Sequence, residues 1–286
     1  MFRFLMTLSV LTSLVSPAWA DVSQLTNAMD AIRVKDWDRA REAVENSDQV
    51  AMDIVEWHQL RAGEGSPGQI IAFLQRRDDW PGLKLLRKRS EATFSSATYR
   101  EKLSFFAMGN AQTAAGVLAW AEVLAGEGEQ GAADAEIVLA WRTMSMDANT
   151  QATFLKQYED LLKPHHIARL DAMLWRNWQG NTERMYPLVP DGWVKLAKAR
   201  LGLRGQVNGV DGLILAVPDI LKNDAGMAYE RFVWRHRKGL DERAIELLLE
   251  RSKAGTLGEP ANWASRRRSL IRSQMRAGNY QIAYDL

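Results

Sequence analysis

The stretch Leu25-Thr26-Asn27-Ala28-Met29-Asp30-Ala31-Ile32, followed by Lys35-Asp36-Trp37-Asp38-Arg39-Ala40, decides the fold class. Leu25, Ala28, Met29 and Ile32 stand at i, i+3, i+4 and i+7, the spacing that gathers apolar side chains on one face of a helix. The Asp-Trp joint then supplies a carboxylate that can accept hydrogen bonds from the free amides of a second helix. The same period returns at Ile137, Ala140, Trp141 and Met144, and it continues through Leu83 to Leu86 and Ala244 to Leu249. Alternating β-branched runs bounded by turns do not occur. The nearest, Val210 to Val217, is broken by Gly212 and closed by Pro218. The chain is therefore read as all-α.

The joint recurs. Asp78-Asp79-Trp80-Pro81-Gly82-Leu83 opens another helix, and Gly109-Asn110-Ala111, Gly180-Asn181-Thr182 and Gly278-Asn279-Tyr280 follow the same plan. In each, Gly suits the left-handed cap of one helix and Asp or Asn the amino-terminal cap of the next. Asp36 to Asp79 is 43 residues, Asp79 to Asn110 is 31, and Asn110 to Asn181 is 71, two units of about 35. Helix-hairpin repeats of the tetratricopeptide kind run roughly 34 residues. The expected architecture is an irregular, tetratricopeptide-like α-solenoid or superhelix of helical hairpins. Two segments interrupt it: Leu201 to Val217, with Gly202, Gly205, Gly209 and Gly212, is read as a looped connection, and Gly255 to Pro260 as a shorter break.

The first twenty residues read as a signal peptide. Arg3 gives a positive start, Phe4 to Val15 is an apolar run, and Ala18-Trp19-Ala20 before Asp21 is a small-x-small cleavage site. An apolar run of that length is too short for a membrane span, which takes roughly 20 residues. The domain layout is thus residues 1–20 as signal peptide and 21–286 as the helical domain, with a periplasmic location and no stable membrane insertion. Without Arg3 the 37 basic residues become 36 against 35 acidic, a formal charge of +1. That balance argues against nucleic acid as a partner, because a basic face is its expected footprint. The chain has no cysteine, which excludes disulfides and a lipid-modified cysteine.

Asp224-Ala225-Gly226-Met227-Ala228-Tyr229-Glu230-Arg231-Phe232-Val233-Trp234-Arg235-His236-Arg237 resembles the "ER…WR…R" helix in the helical domain of soluble lytic transglycosylases. Glu259-Pro260-Ala261-Asn262-Trp263-Ala264-Ser265-Arg266-Arg267 follows, with Asn262-Trp263 where that family usually has two tryptophans. Arg272, Gly278-Asn279-Tyr280 and Ala283-Tyr284 match its next hairpin, and Arg169-Leu170-Asp171-Ala172-Met173-Leu174-Trp175 is similar to a segment before a turn upstream. The likeness is sharp over residues 164–286. It implies an arc of helices supporting a carboxy-terminal lysozyme-like domain that cleaves peptidoglycan. There one glutamic acid serves as acid and then base, and a sugar hydroxyl attacks to give a 1,6-anhydro product, whereas ordinary glycosidases use two carboxylates. No cofactor and no metal is implied. The partners implied are peptidoglycan, through the catalytic domain, and periplasmic proteins.

The catalytic pattern of that family, a Glu-Ser pair with a Gly-rich "GLMQ" stretch, does not occur in these residues. The chain also stops at Leu286, inside the helix begun at Tyr280, so the expectation is that the catalytic domain is absent and this chain alone inactive. No catalytic, cofactor-binding or metal residue is assigned. His165 and His166 point about 100° apart on a helix, and His58 and His236 are isolated, so metal spacing is lacking. Trp37 and Trp80 fall at joints, and Trp120, Trp141, Trp175 and Trp234 lie in apolar patterns that predict packing. Trp178 and Trp263, in more polar surroundings, are the candidates for a surface role on sugars. Arg268, Arg272 and Arg276 form a basic stripe, read as a solvated face paired with glutamates ahead of a contact to substrate or domain. The alternative to the scaffold is a non-enzymatic periplasmic solenoid that binds a protein or glycan on its concave face.

Overall fold

A computed structural model describes residues 19–286. The signal peptide assigned to residues 1–20 lies outside the described residues but for its last two. All described regular structure is helical, with no strand, and helices close in sequence pack as pairs. The described residues divide into two compact units, one ending at Gln112 and the other spanning Thr113–Leu286. The first holds α1 (Trp19–Arg33), α2 (Trp37–Val44), α3 (Gln49–Arg61), α4 (Pro67–Arg76), α5 (Leu83–Ser90) and α6 (Tyr99–Phe106). The second holds α7 (Ala114–Gly126), α8 (Gln130–Thr143), α9 (Ala148–Leu162), α10 (His166–Trp175), α11 (Gln179–Glu183), α12 (Asp191–Gly205) and α13 (Val210–Leu215). It continues with α14 (Ala225–Arg237), α15 (Asp241–Lys253), α16 (Pro260–Arg276) and α17 (Tyr280–Asp285).

In the first unit the opening stretch behaves as its period requires. Ala28, Ala31 and Ile32 of α1 are buried against Ala40, Val44, Ala51 and Val55, with Met29 and Trp37 packed on their edge. Asp36 caps α2 by accepting the Arg39 amide at 3.2 Å. Beyond this joint the caps differ from those expected. Gly82, in the left-handed region at φ 71°, precedes α5, and Asp79 makes no cap. After Asn110 the chain runs on to Thr113, whose hydroxyl accepts the Gly116 amide at 3.0 Å and starts α7. A hydroxyl one step before the helix can reach an N3 amide, and Asn110 stands too far back to do so.

In the second unit α8, α10, α12 and α14 pack successively against one another. Each is tied to the one before by an arginine that reaches its last-turn carbonyls. Arg169 donates to Trp141 O and, at 3.1 Å, to Met144 O; Arg204 donates to Leu174 O at 2.8 Å; Arg237 donates to Arg204 O at 3.0 Å. These carbonyls carry the negative end of the helix dipole, which a guanidinium offsets, and at Leu174 O the arginine adds a second donor to the turn's own amide. The turns between helices repeat one geometry. Trp178 N–H bonds Met173 O while Asn177 N–H bonds Leu174 O, and the same pair recurs at Val207 and Gln206, Leu240 and Gly239, Thr256 and Gly255, and Asn279 and Gly278. This is the Schellman closure with a left-handed residue, here Asn177, Gln206 or glycine.

Two further expectations are corrected here. Gly180-Asn181-Thr182 is no joint, because Asn177 already ends α10; Asn181 lies inside α11 and is buried. Leu201 to Val217 is no loop, since α12 continues through Gly202 to Gly205 and Val210–Leu215 is α13. Gly202 marks close packing instead, for a Cβ there would meet Leu213 Cδ1 at 2.6 Å. The break at Gly255 to Pro260 stands where expected, between α15 and α16.

Candidate functional site

A cleft in the first unit, a cavity of about 730 Å³, lies over one face of α3. Asp48 caps α3 by accepting the Ala51 amide at 2.8 Å, which sets Gln49, Met52, Glu56 and Gln59 in line at i, i+3, i+7 and i+10. Arg41 and Glu45, from the end of α2, form one wall. Gln69 and Arg76 of α4 form the other, after Ser66 and Gln69 complete a capping box at 3.3 and 2.9 Å.

Of the charges lining the cleft, Arg76 and Glu56 pair with each other, Arg41 turns to Asp38 outside the lining, and Glu45 forms no ion pair among the described residues. Arg76 donates to Asp53 at 2.8 Å and to Glu56 at 2.6 Å, Gln49 donates to Asp53 at 3.0 Å, and Arg77 pairs with Asp53 from the other side. Burial pushes the Asp53 carboxyl up, but hydrogen bonds from Arg76, Gln49 and Arg77 outweigh it and hold the group below its ordinary value. Arg76 is raised in turn, chiefly by its bond to Asp53. A general acid at neutral pH needs the opposite shift. Arg41 donates to Gln59 at 2.9 Å and to Asp38 at 2.5 Å, which leaves amide and guanidinium edges facing solvent. Such a surface suits neutral chains rich in hydroxyls or amides, bound by hydrogen bonds.

Two carboxylates of the second unit, Glu230 and Asp224, serve the fold. Glu230, of the "ER" pair, is buried and pairs with Arg204. Asp224 caps α14 through the Met227 amide at 2.7 Å; burial raises its carboxyl, with Arg200 at 3.5 Å acting against this. Arg200 is itself buried, bonded to Asp171 at 2.5 Å and stacked 5.1 Å from the Trp175 ring centroid. Asn181 accepts from the Met146 amide at 3.0 Å and from Arg169 at 3.2 Å, and donates to Ser145 at 3.1 Å. Arg169 has no carboxylate partner and stacks on Trp141 at 4.4 Å; burial pulls it down to about 10.

The residues weighed from sequence are spread out. Trp263 is buried, stacked on Phe232 at 4.8 Å, and donates to Leu257 O at 2.9 Å, so its surface role is withdrawn. The polar neighbours in sequence turn outward from α16 while the indole turns in. Trp141 is likewise buried, and Trp37, Trp80, Trp120, Trp175, Trp178 and Trp234 are half-buried. His166 sits 5.5 Å from Trp141, His58 lies edge-on to Trp57 at 4.8 Å, and His236 bonds Asp241 at 2.7 Å. Among the described residues no group of three potential ligands gathers for a metal, and no helix is long and apolar enough to cross a membrane. Arg268, Arg272 and Arg276 are exposed on α16, and no carboxylate among the described residues pairs with them. The polar face of α3 went unnoticed in sequence, although Gln49, Glu56 and Gln59 stand there at helical spacing. No protein-family model matches the chain, and neither a curated protein nor a solved structure is found similar to it.

Proposed function

We propose that this chain is the helical scaffold of a periplasmic peptidoglycan lytic transglycosylase, each unit a run of irregular, tetratricopeptide-like α-solenoid. The proposal assigns bond cleavage to a lysozyme-like domain that residues 21–286 do not include, and support and glycan binding to the helices. The observation that carries it is the succession α8, α10, α12, α14, each packed on the last and bound by an arginine to its carboxy-terminal carbonyls. This is nearest-neighbour stacking, the principle of solenoids. The sequence resemblance falls on α14 to α17. The α3 cleft offers hydrogen-bonding edges of the kind a glycan uses.

The test is direct. The purified chain should co-sediment with murein sacculi and release no anhydromuropeptides, and Gln59→Ala with Arg41→Ala should lower the bound fraction several-fold. Anhydro products from the chain itself, lost on mutation of one glutamate, would refute the scaffold assignment. The non-enzymatic alternative draws on the same α3 cleft, which lies outside residues 164–286. Sacculi left unbound, with a periplasmic protein held through α3 instead, would favour it.

A further inference from the structure

A second cavity, in the 113–286 unit, is built for different chemistry. It measures about 330 Å³ and lies where α12, α13, α14 and the start of α15 meet. Arg231, Arg235 and Arg243 line it with a single carboxylate, Asp211. Elsewhere in this unit arginines facing carboxylates pair with them, as Arg200 does with Asp171 and Arg204 with Glu230. Here no pair forms: among the described residues none of the three arginines reaches a carboxylate, Asp211 included. The opposite charges line one cavity without pairing across it.

The arginines are also under-satisfied. Arg231 is half-buried and makes no hydrogen bond to the described residues; burial, with Arg235 and Arg251 nearby, holds its guanidinium below the usual arginine range. Arg235 is fixed by its bond to Arg243 O at 2.8 Å, which uses one of its donors and leaves others free. Partly desolvated cations without a counter-charge are costly, and a bound oxyanion relieves that cost with forked hydrogen bonds. The remaining wall is apolar, formed by Ile214, Leu240 and the ring of Trp234. The volume is at the lower end of small-molecule sites, roughly 300–1,000 Å³, and fits a small molecule.

We infer that this cavity binds a small zwitterion with an aliphatic body, an amino acid or dipeptide, its carboxylate on Arg231, Arg235 and Arg243 and its ammonium toward Asp211. The inference stands apart from the murein reading, since the ligand is a free small molecule and sacculi play no part in its test.

Calorimetric titration of the chain with alanyl-alanine tests it. Binding is expected, weakened about tenfold or more when the dipeptide is amidated at its carboxyl end, the loss of one charge-assisted contact. Acetylation of its amine should weaken binding several-fold. Arg231→Gln and the exposed Arg243→Gln should each lower affinity about tenfold, with Arg243→Gln leaving the melting temperature unchanged. Alanyl-alanine that gives no saturable heat at millimolar concentration overturns the proposal, as does equal binding of its free and amidated forms. Inorganic phosphate that binds as tightly as the dipeptide, with acetylation making no difference, overturns it too, in favour of a plain oxyanion site.

Discussion

Gly226 sits in α14 with its Cα facing the guanidinium of Arg200, and replacing it by alanine tests how firmly that buried cation is held. A Cβ at this position would lie within 3.0 Å of Cζ and both terminal nitrogens of Arg200, closer than real Cβ atoms come. An arginine tip normally swings away at little cost. Arg200 is enclosed, however, with Asp171 at 2.5 Å on one side and the Trp175 ring against it. Restoring ordinary contact requires the tip to retreat by well over an ångström, enough to break its bond to Asp171 if it moves away from that carboxylate. Overpacking costs about 1–3 kcal/mol, and losing part of a charged hydrogen bond adds about 1 kcal/mol. The helix gains up to about 1 kcal/mol from losing a glycine, so the net loss is about 1–3 kcal/mol. For a unit of this size that lowers the melting temperature by roughly 2–12 °C. Gly212→Ala is the control: nothing lies within 4 Å of its would-be Cβ, and it should stabilise by about 0.5 kcal/mol. Differential scanning calorimetry on both variants reads the result. In an Arg200→Met background, itself destabilised, Gly226→Ala should turn neutral or stabilising, because the clash is gone. A Gly226→Ala protein melting at or above wild type would refute the reasoning and show Arg200 free to move.

Trp37→Phe keeps the ring in the α1–α2 core but removes the indole donor to Glu64, 2.6 Å away, and should cost about 1 kcal/mol in urea unfolding. Asn181→Leu strands the Met146 amide and removes an acceptor from Arg169, and should cost about 2–4 kcal/mol; an unchanged urea midpoint would mean that water replaces the amide. Burial, with Arg169 nearby, lowers His166, and burial with Arg61 lowers His58. Both folded values lie below 6.5, so the unfolded chain binds more protons and stability falls as pH drops through 6.5. The melting temperature should decline from pH 7.5 to 5.0, and His166→Phe should flatten that slope.

Helix formation was legible because burial imposes a period on it. Ala28, Ile32, Ile137, Ala140 and Trp141 all face cores, as their spacing requires. Joints were less legible, since glycine, asparagine and aspartate serve several purposes. Asp36 caps a helix, Asn181 anchors a buried cluster, and Gly202 admits a neighbouring helix. Local sequence does not distinguish these uses, because the partners stand at very different separations: Arg39 is three residues from Asp36, Leu213 eleven from Gly202 and Met146 thirty-five from Asn181. The same holds for Trp263, whose polar neighbours on α16 point outward while the indole stacks on Phe232. The α3 cleft was hidden for a related reason. Glutamine and glutamate on a helix face read as ordinary solvated surface until α2 and α4 rise on either side.

The uneven spacing of the packed helices is compatible with ties made by arginines. A joint built from two packed side chains constrains both positions, and a consensus results. Here one partner is a backbone carbonyl in the last turn of a helix, present whatever residue stands there. Only the donor has to be encoded, and a long arginine reaches its acceptor from more than one place. The separations bear this out: Arg169 to Trp141 spans 28 residues, Arg204 to Leu174 spans 30, and Arg237 to Arg204 spans 33. In the first unit Arg89 reaches Arg61 O at 2.6 Å across 28. The Schellman turn adds to this freedom, because its bonds also run between backbone groups and accept Asn177 or Gln206 in place of glycine. Stacking held by main-chain acceptors tolerates change on the outer faces.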